Sequence, residues 1–265
     1  MIKLNIKQNH YRKSAILFTA LLIFLLSACS PEPSNYQSRL VVSTPSDAST
    51  FNSPLNQSAY SVFGYIYEGL IIENGVTGEL EPALAESWEV SEDEQTIVIT
   101  LKEGLKWSDG EPLTVDDVVF SYNEIYLNDK IPSSLKDILR IGKSGALPTV
   151  KKIDNLRVEF STPEPFAPFV RYAGGLTILP AHALKESVRT TNSEGELNYL
   201  TKWGTDTPVT EIVGNGMYRI KSYAPNQRII LEKNPFYWRQ DNQGNILRYI
   251  ENIVWQVIEN TDNQL

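Results

Sequence analysis

The chain has 265 residues, 42% of them hydrophobic and 21% charged, with 24 Lys and Arg against 32 Asp and Glu for a formal net charge of −8. That is ordinary globular composition with room for one large domain or two small ones, which excludes general disorder. The acid excess deepens beyond residue 28, because Lys3, Lys7, Arg12 and Lys13 precede that point without any acid; such a surface argues against nucleic acid or an anionic membrane surface as the main partner.

The chain opens with a basic, polar stretch, MIKLNIKQNHYRKS, continues with the apolar run AILFTALLIFLL and closes the segment with LSAC, which is the pattern of a secretory signal peptide. The run from Ala15 to Leu26 is 12 residues long, whereas a helix crossing the hydrocarbon core needs about 20, so a permanent transmembrane anchor is disfavoured. Cys29 is the single cysteine and can form no intramolecular disulfide. Leu26-Ser27-Ala28-Cys29 resembles the lipobox of bacterial lipoproteins. That resemblance implies cleavage after Ala28, a diacylglycerol thioether on Cys29 and acylation of the new amine; several chains at about 0.8 kcal/mol per buried methylene make a lasting membrane anchor. Residues 1–28 are thus read as the signal peptide and 29–39 as a tether carrying SPEPSNYQS, with the folded part in the periplasmic space or at the cell surface, lipid-anchored to the cell membrane.

Arg39-Leu-Val-Val-Ser43 predicts a buried strand followed by the turn-rich loop DASTFNSPLNQS. Val62, Phe63, Ile66, Tyr67 and Leu70 fall at helical spacing and predict a helix over 59–70, then a strand at Leu70-Ile71-Ile72 and a turn at Asn74-Gly75. Three hairpins are predicted: 88–90 with 95–101 across Ser91–Glu94, 150–153 with 156–160 across Asp154-Asn155, and 217–223 with 228–233 across Pro225-Asn226. A last strand is expected over 253–258. Hairpin sheets with helices between them indicate a mixed α+β architecture, and the chain carries no repeat of 20–50 residues.

Between the first two hairpins lies KWSDGEPLTVDDVVFSY, Lys106 to Tyr122. Its Trp, Asp-Gly turn and adjacent carboxylates have the density of an active site, yet each has a local explanation. Ser108-Asp109-Gly110 supplies a turn, and Thr114 precedes apolar residues at helical spacing, so it is the N-cap. Asp117 stands where it can reach back to the cap's amide, and Asp116 sits in the first turn, where the helix dipole favours negative charge. A metal site is unsupported: of two histidines, His10 is in the signal segment and His182 has no ligand at a usable spacing. Gly214-Asn215-Gly216 lacks the Lys of a phosphate-binding loop, no Gly-x-Ser-x-Gly occurs, and the sole cysteine belongs to the lipobox, so no enzyme class and no cofactor is indicated.

YEGLIIENGVTGELEPALAESWEVSEDEQTIVITL (67–101), LKEGLKWSDGEPLTVDDVVFSY (101–122), ILPAHAL (178–184) and VGNGMYRIKSYAPNQRIILEKNPFYW (213–238) together resemble the bacterial extracellular solute-binding proteins of the peptide/nickel type, which deliver ligands to ABC importers. The resemblance implies a type II periplasmic-binding-protein lobe containing a hairpin-rich subdomain. Residues 40–265 form that lobe, with about 51–160 as the smaller subdomain and 40–50 plus 165–265 as the larger. The expected function is the substrate-binding component of a peptide importer, with a peptide ligand, ABC permease subunits as partners, and binders of nickel complexes or oligosaccharides as alternatives within the family. Family members are about twice as long, so the resemblance also implies that the second lobe is absent and the chain a fragment. Cleft positions implied for ligand contact are Thr50, Phe51 and Asn52 after the first strand and Gly214, Asn215, Gly216 and Met217. Two readings from other classes are a standalone interaction lipoprotein that has lost transport, and an envelope hydrolase, disfavoured by the missing motifs.

Overall fold

The computed structural model describes residues 38–56 and 62–258. The signal segment with Cys29, most of the tether, residues 57–61 and residues 259–265 lie outside the described residues. In chain order the strands are β1 (Arg39–Thr44), β2 (Ile71–Glu73), β3 (Leu80–Pro82), β4 (Ala85–Val90), β5 (Thr96–Leu101), β6 (Thr149–Lys152), β7 (Arg157–Ser161), β8 (Tyr218–Ala224), β9 (Arg228–Lys233) and β10 (Asn252–Val257). The α-helices are α1 (Phe63–Ile66), α2 (Val115–Phe120), α3 (Leu135–Ile138), α4 (Phe169–Gly175) and α5 (Ala181–Arg189).

Two four-stranded sheets carry the fold. One has the order β1-β10-β9-β8, the other β4-β5-β7-β6, and β2-β3 form a small ribbon. All three predicted hairpins form, pairing β4 with β5, β6 with β7 and β8 with β9. Their sequences alternate because one face is buried: Ile97, Ile99 and Leu101 of β5 and Val158 and Phe160 of β7 point into the core. Glu94 and Asn226 take left-handed φ of 56° in the tight turns of the first and third. The last strand arrives as β10 and pairs in parallel with β1, with Val41 opposite Val254. A parallel pair cannot be made by a hairpin, and here it brings together segments more than 200 residues apart.

The helix predicted over 59–70 is a single described turn, α1. The chain turns extended at Tyr67 (φ −126°, ψ 148°), and Leu70 instead offers its carbonyl to the N–H groups of Ala83 and Ala85. The expected apolar residues are nevertheless in the core: Val62, Ile66, Tyr67 and Leu70 are buried. Tertiary hydrogen bonding has overridden helical periodicity while keeping its burial.

The cap predicted at Thr114 forms. Asp117 Oδ2 accepts from the Thr114 N–H at 2.8 Å, and Thr114 Oγ1 accepts from the Asp116 N–H at 3.3 Å. Asp116 itself pairs with Lys152 at 2.9 Å. Beyond α2 the chain continues through a π-helical turn, Ser121–Tyr126, which aims Tyr122 at the Ala173 carbonyl and Tyr126 at the Thr177 carbonyl. Tyr122 also packs edge-on against Phe160 at 4.8 Å, joining helix to sheet. Thr114→Ala should lower the unfolding free energy by about 1 kcal/mol in urea denaturation, and Thr114→Ser by clearly less.

Candidate functional site

Open sheets receive ligands outside the carboxyl ends of their parallel strands, and β1 and β10 end together at Thr44 and Val257. The loop leaving β1 is fixed at this edge. Asp47 Oδ2 accepts from the Tyr223 hydroxyl and from the Asn226 N–H, each at 2.6 Å, tying the loop to the β8–β9 turn. Thr50 Oγ1 donates to the Trp203 carbonyl at 3.1 Å, which also accepts the Phe51 N–H at 2.8 Å. Asn52 is spent on the same neighbour: its amide donates to Lys202 O at 3.2 Å, and its oxygen accepts from the Tyr199 hydroxyl at 2.9 Å. Phe51, 0% exposed, meets the Tyr223 ring edge-on at 5.0 Å. Thr50, Phe51 and Asn52 therefore stand at the C-terminal edge of the parallel pair as a rigid ledge. The side chains of Phe51 and Asn52 point into the lobe, leaving main chain and the half-buried Thr50 nearer the surface. Trp203 holds a left-handed φ of 60°, a conformation costing about 1–3 kcal/mol that persists only where its surroundings over-determine it.

Gly214 to Met217 lie elsewhere. Met217 precedes β8, whose first residue faces Lys233 at the end where β1 and β10 begin. The two groups of predicted positions thus occupy opposite edges of one sheet. The glycines are required by the chain's own backbone: a Cβ on Gly214 would lie 2.3 Å from the Ile66 carbonyl oxygen, and one on Gly216 2.4 Å from that of Tyr65. Asn215, 1% exposed, pairs with the Glu68 peptide as another strand would, accepting its N–H at 2.7 Å and donating to its carbonyl at 3.3 Å. Ser108 clamps the loop from the other side: its N–H donates to Gly214 O at 2.8 Å and its hydroxyl accepts the Gly214 N–H at 3.1 Å.

Behind this loop is a cavity of 410 Å³ whose walls include Tyr67, Glu68, Ile71, Met217, Tyr237 and Arg239. The Tyr237 hydroxyl donates to Glu68 Oε1 at 2.5 Å and the Trp238 indole to Oε2 at 3.2 Å. Burial pushes the Glu68 carboxyl above the usual carboxylate range, with those donors and Arg239 opposing it. Burial likewise raises Asp117, although the N–H groups of Thr114 and Ala181 donate to it. Neither Glu68 nor Arg239 is among the positions predicted from sequence. Both stand in or beside quoted motif segments, YEGL and NPFYW, but their juxtaposition depends on a separation of some 170 residues closing in the fold.

Among the described residues no group of three or more His, Cys, Asp or Glu is placed to hold a metal ion, and no helix is long and apolar enough to cross a membrane. The family model described as bacterial extracellular solute-binding proteins, family 5 Middle, matches residues 79–265. A probable ABC transporter-binding protein of Deinococcus radiodurans is 29% identical over 81% of this chain and 34% of its own length. The periplasmic oligopeptide-binding protein OppA of Salmonella typhimurium is 31% identical over 70% of this chain and 33% of its own. Among solved structures, the periplasmic binding protein MelB of Agrobacterium fabrum in complex with stachyose superimposes with a TM-score of 0.70 at 24% identity, over 83% of this chain and 34% of that one. The chain therefore spans about a third of the length of these relatives. The fold is an α+β lobe of the type II periplasmic-binding-protein kind.

The half-buried carboxyl at residue 68 predicts a pH signature. Glu68 is protonated more easily folded than unfolded, so its ionisation costs folding free energy. That cost is absent below the unfolded-chain value near 4.3, grows as pH rises through the higher folded value and is complete above it. In melting curves across pH 4 to 8, Glu68→Gln should gain on the wild type as pH rises; a gap that stays flat or narrows contradicts the assignment.

Proposed function

This chain belongs to the bacterial extracellular solute-binding proteins of family 5, and we propose that it is the solute-receiving component of an ABC importer for peptides. The observation carrying this reading is the parallel pair β1–β10, which opens on a ledge built from Asp47 to Asn52 and held by the Tyr199–Trp203 turn. A fixed edge of main chain suits an extended peptide, which draws affinity from backbone hydrogen bonds and leaves its own side chains to looser pockets. On this reading 40–50 with 165–265 form the larger subdomain and about 51–160 the smaller, in keeping with the two sheets. The opposing wall of the cleft corresponds to the part of the relatives' length that this chain does not span. Thr50, Phe51 and Asn52 set the shape of the ledge, permease subunits are the docking partners, and an acylated Cys29 holds the protein at the membrane.

Titration calorimetry of the chain with a mixture of tri- to pentapeptides should give a saturable heat that Asp47→Ala weakens, because the ledge loses its tie to the β8–β9 turn. Saturation by oligosaccharides or by a nickel–histidine complex, with no heat from peptides, would replace the peptide reading with one of those ligands. In cell fractionation the wild type should partition with membranes and Cys29→Ala with the soluble fraction; equal partitioning would remove the lipid anchor.

A further inference from the structure

The cavity behind Gly214–Met217 has the makings of a second site, and we infer that it binds a free amino acid or a zwitterion of similar size. Its 410 Å³ falls at the small end of the roughly 300–1,000 Å³ typical of ligand pockets. The wall carries one group of each sign, the Glu68 carboxylate and the Arg239 guanidinium, with Ile71, Met217 and Leu247 supplying apolar surface between the polar groups.

Both charged groups retain capacity for a ligand. Each Glu68 oxygen accepts one hydrogen bond, from Tyr237 or from Trp238, while an ionised carboxylate offers about four acceptor positions. Arg239 reaches Glu81 at 3.5 Å, the long limit of a hydrogen bond, and otherwise neighbours the Tyr237 hydroxyl. A guanidinium has about five N–H donors and favours a carboxylate held by two of them. The Glu68 peptide is locked on both sides by Asn215, so the carboxylate is positioned before any ligand arrives and little ordering cost falls on binding. A simple cation would meet Arg239 and a simple anion would meet Glu68; a molecule bearing an ammonium beside a carboxylate satisfies both. The site lies at the edge where β8 begins, with Tyr67 as the wall whose hydroxyl reaches the Phe51 carbonyl of the ledge.

L-Leucine, L-leucinamide and N-acetyl-L-leucine, titrated into the intact chain by calorimetry and saturation-transfer NMR, separate the two contacts. Leucine should bind saturably. Leucinamide, lacking the carboxylate, and N-acetyl-leucine, lacking the ammonium, should each bind at least about tenfold more weakly. Met217→Trp, which fills the cavity without removing either charged group, should abolish leucine binding; Leu247→Trp at another wall is read in its place if the first variant does not fold. The proposal is overturned by no saturation up to about 10 mM leucine, by leucinamide or N-acetyl-leucine binding as well as leucine, or by leucine binding that persists in the filled variant.

Discussion

The pairing of the Asn215 side chain with the Glu68 peptide is the constraint around which the lobe is assembled. A carboxamide can imitate a peptide group, donating and accepting at once, and here it does so for a segment that has left α1 and not yet entered β2. Without it, the half-buried Glu68 N–H would lack its partner, at about 1–3 kcal/mol, and the Glu68 carbonyl would keep only the Ile178 N–H, at 3.1 Å. Reaching Glu68 demands that residues 214 and 216 lie almost on the backbone of Tyr65 and Ile66, which only glycine permits. Ser108 then closes the loop from the Trp-Ser-Asp-Gly turn, and Asn234 from the end of β9, its amide donating to Gly216 O at 2.9 Å. Four distant stretches of sequence meet within a few residues.

That junction explains the dense stretch 106–122. Its Asp109 Oδ2 stands within hydrogen-bond reach of His182 Nε2, 2.8 Å away on α5. Trp107 is fully buried, and Gly110, at φ +96°, leaves room for Phe236, which a Cβ would approach to 3.1 Å. The adjacent acids cap α2 and bridge to Lys152. Each feature that suggests chemistry is committed to the lobe's own joints: Ser108 and Gly110 to the β8–β9 region, Asp109 to α5, and the adjacent acids to α2 and β6.

Much of this was legible in the chain itself. Alternation located the hairpins because each strand has one wet and one dry face, and Thr114-x-x-Asp117 announced its cap through local bonds alone. The helix over 59–70 was overextended because spacing registers burial, and the hydrogen bonds that draw Leu70 toward Ala83 and Ala85 are not local. Gly214-Asn215-Gly216 exposes a deeper ambiguity. Two glycines flanking a polar residue signal that something approaches the backbone closely, but the same signal serves a ligand and the chain's own neighbouring segment. Here the neighbour is residues 65–68. The cavity carrying Glu68 and Arg239 could not be assembled from spacing, since neither residue is unusual until the fold sets them together.

The two edges of the first sheet are also mechanically joined. Tyr67 lines the cavity at one end, and its hydroxyl lies 3.5 Å from the Phe51 carbonyl of the ledge at the other; Tyr65 touches the rings of Tyr218 and Trp255 between them. Coupling between sites needs an element with two arrangements that both ligands bias. The segment 65–68 has the opposite character: the Glu68 peptide is doubly bonded to Asn215, and Gly216 donates its N–H to the Ile66 carbonyl at 2.8 Å. Ties of this kind make a stiff strut. Either edge therefore presents a surface whose shape the chain's own bonds have already set.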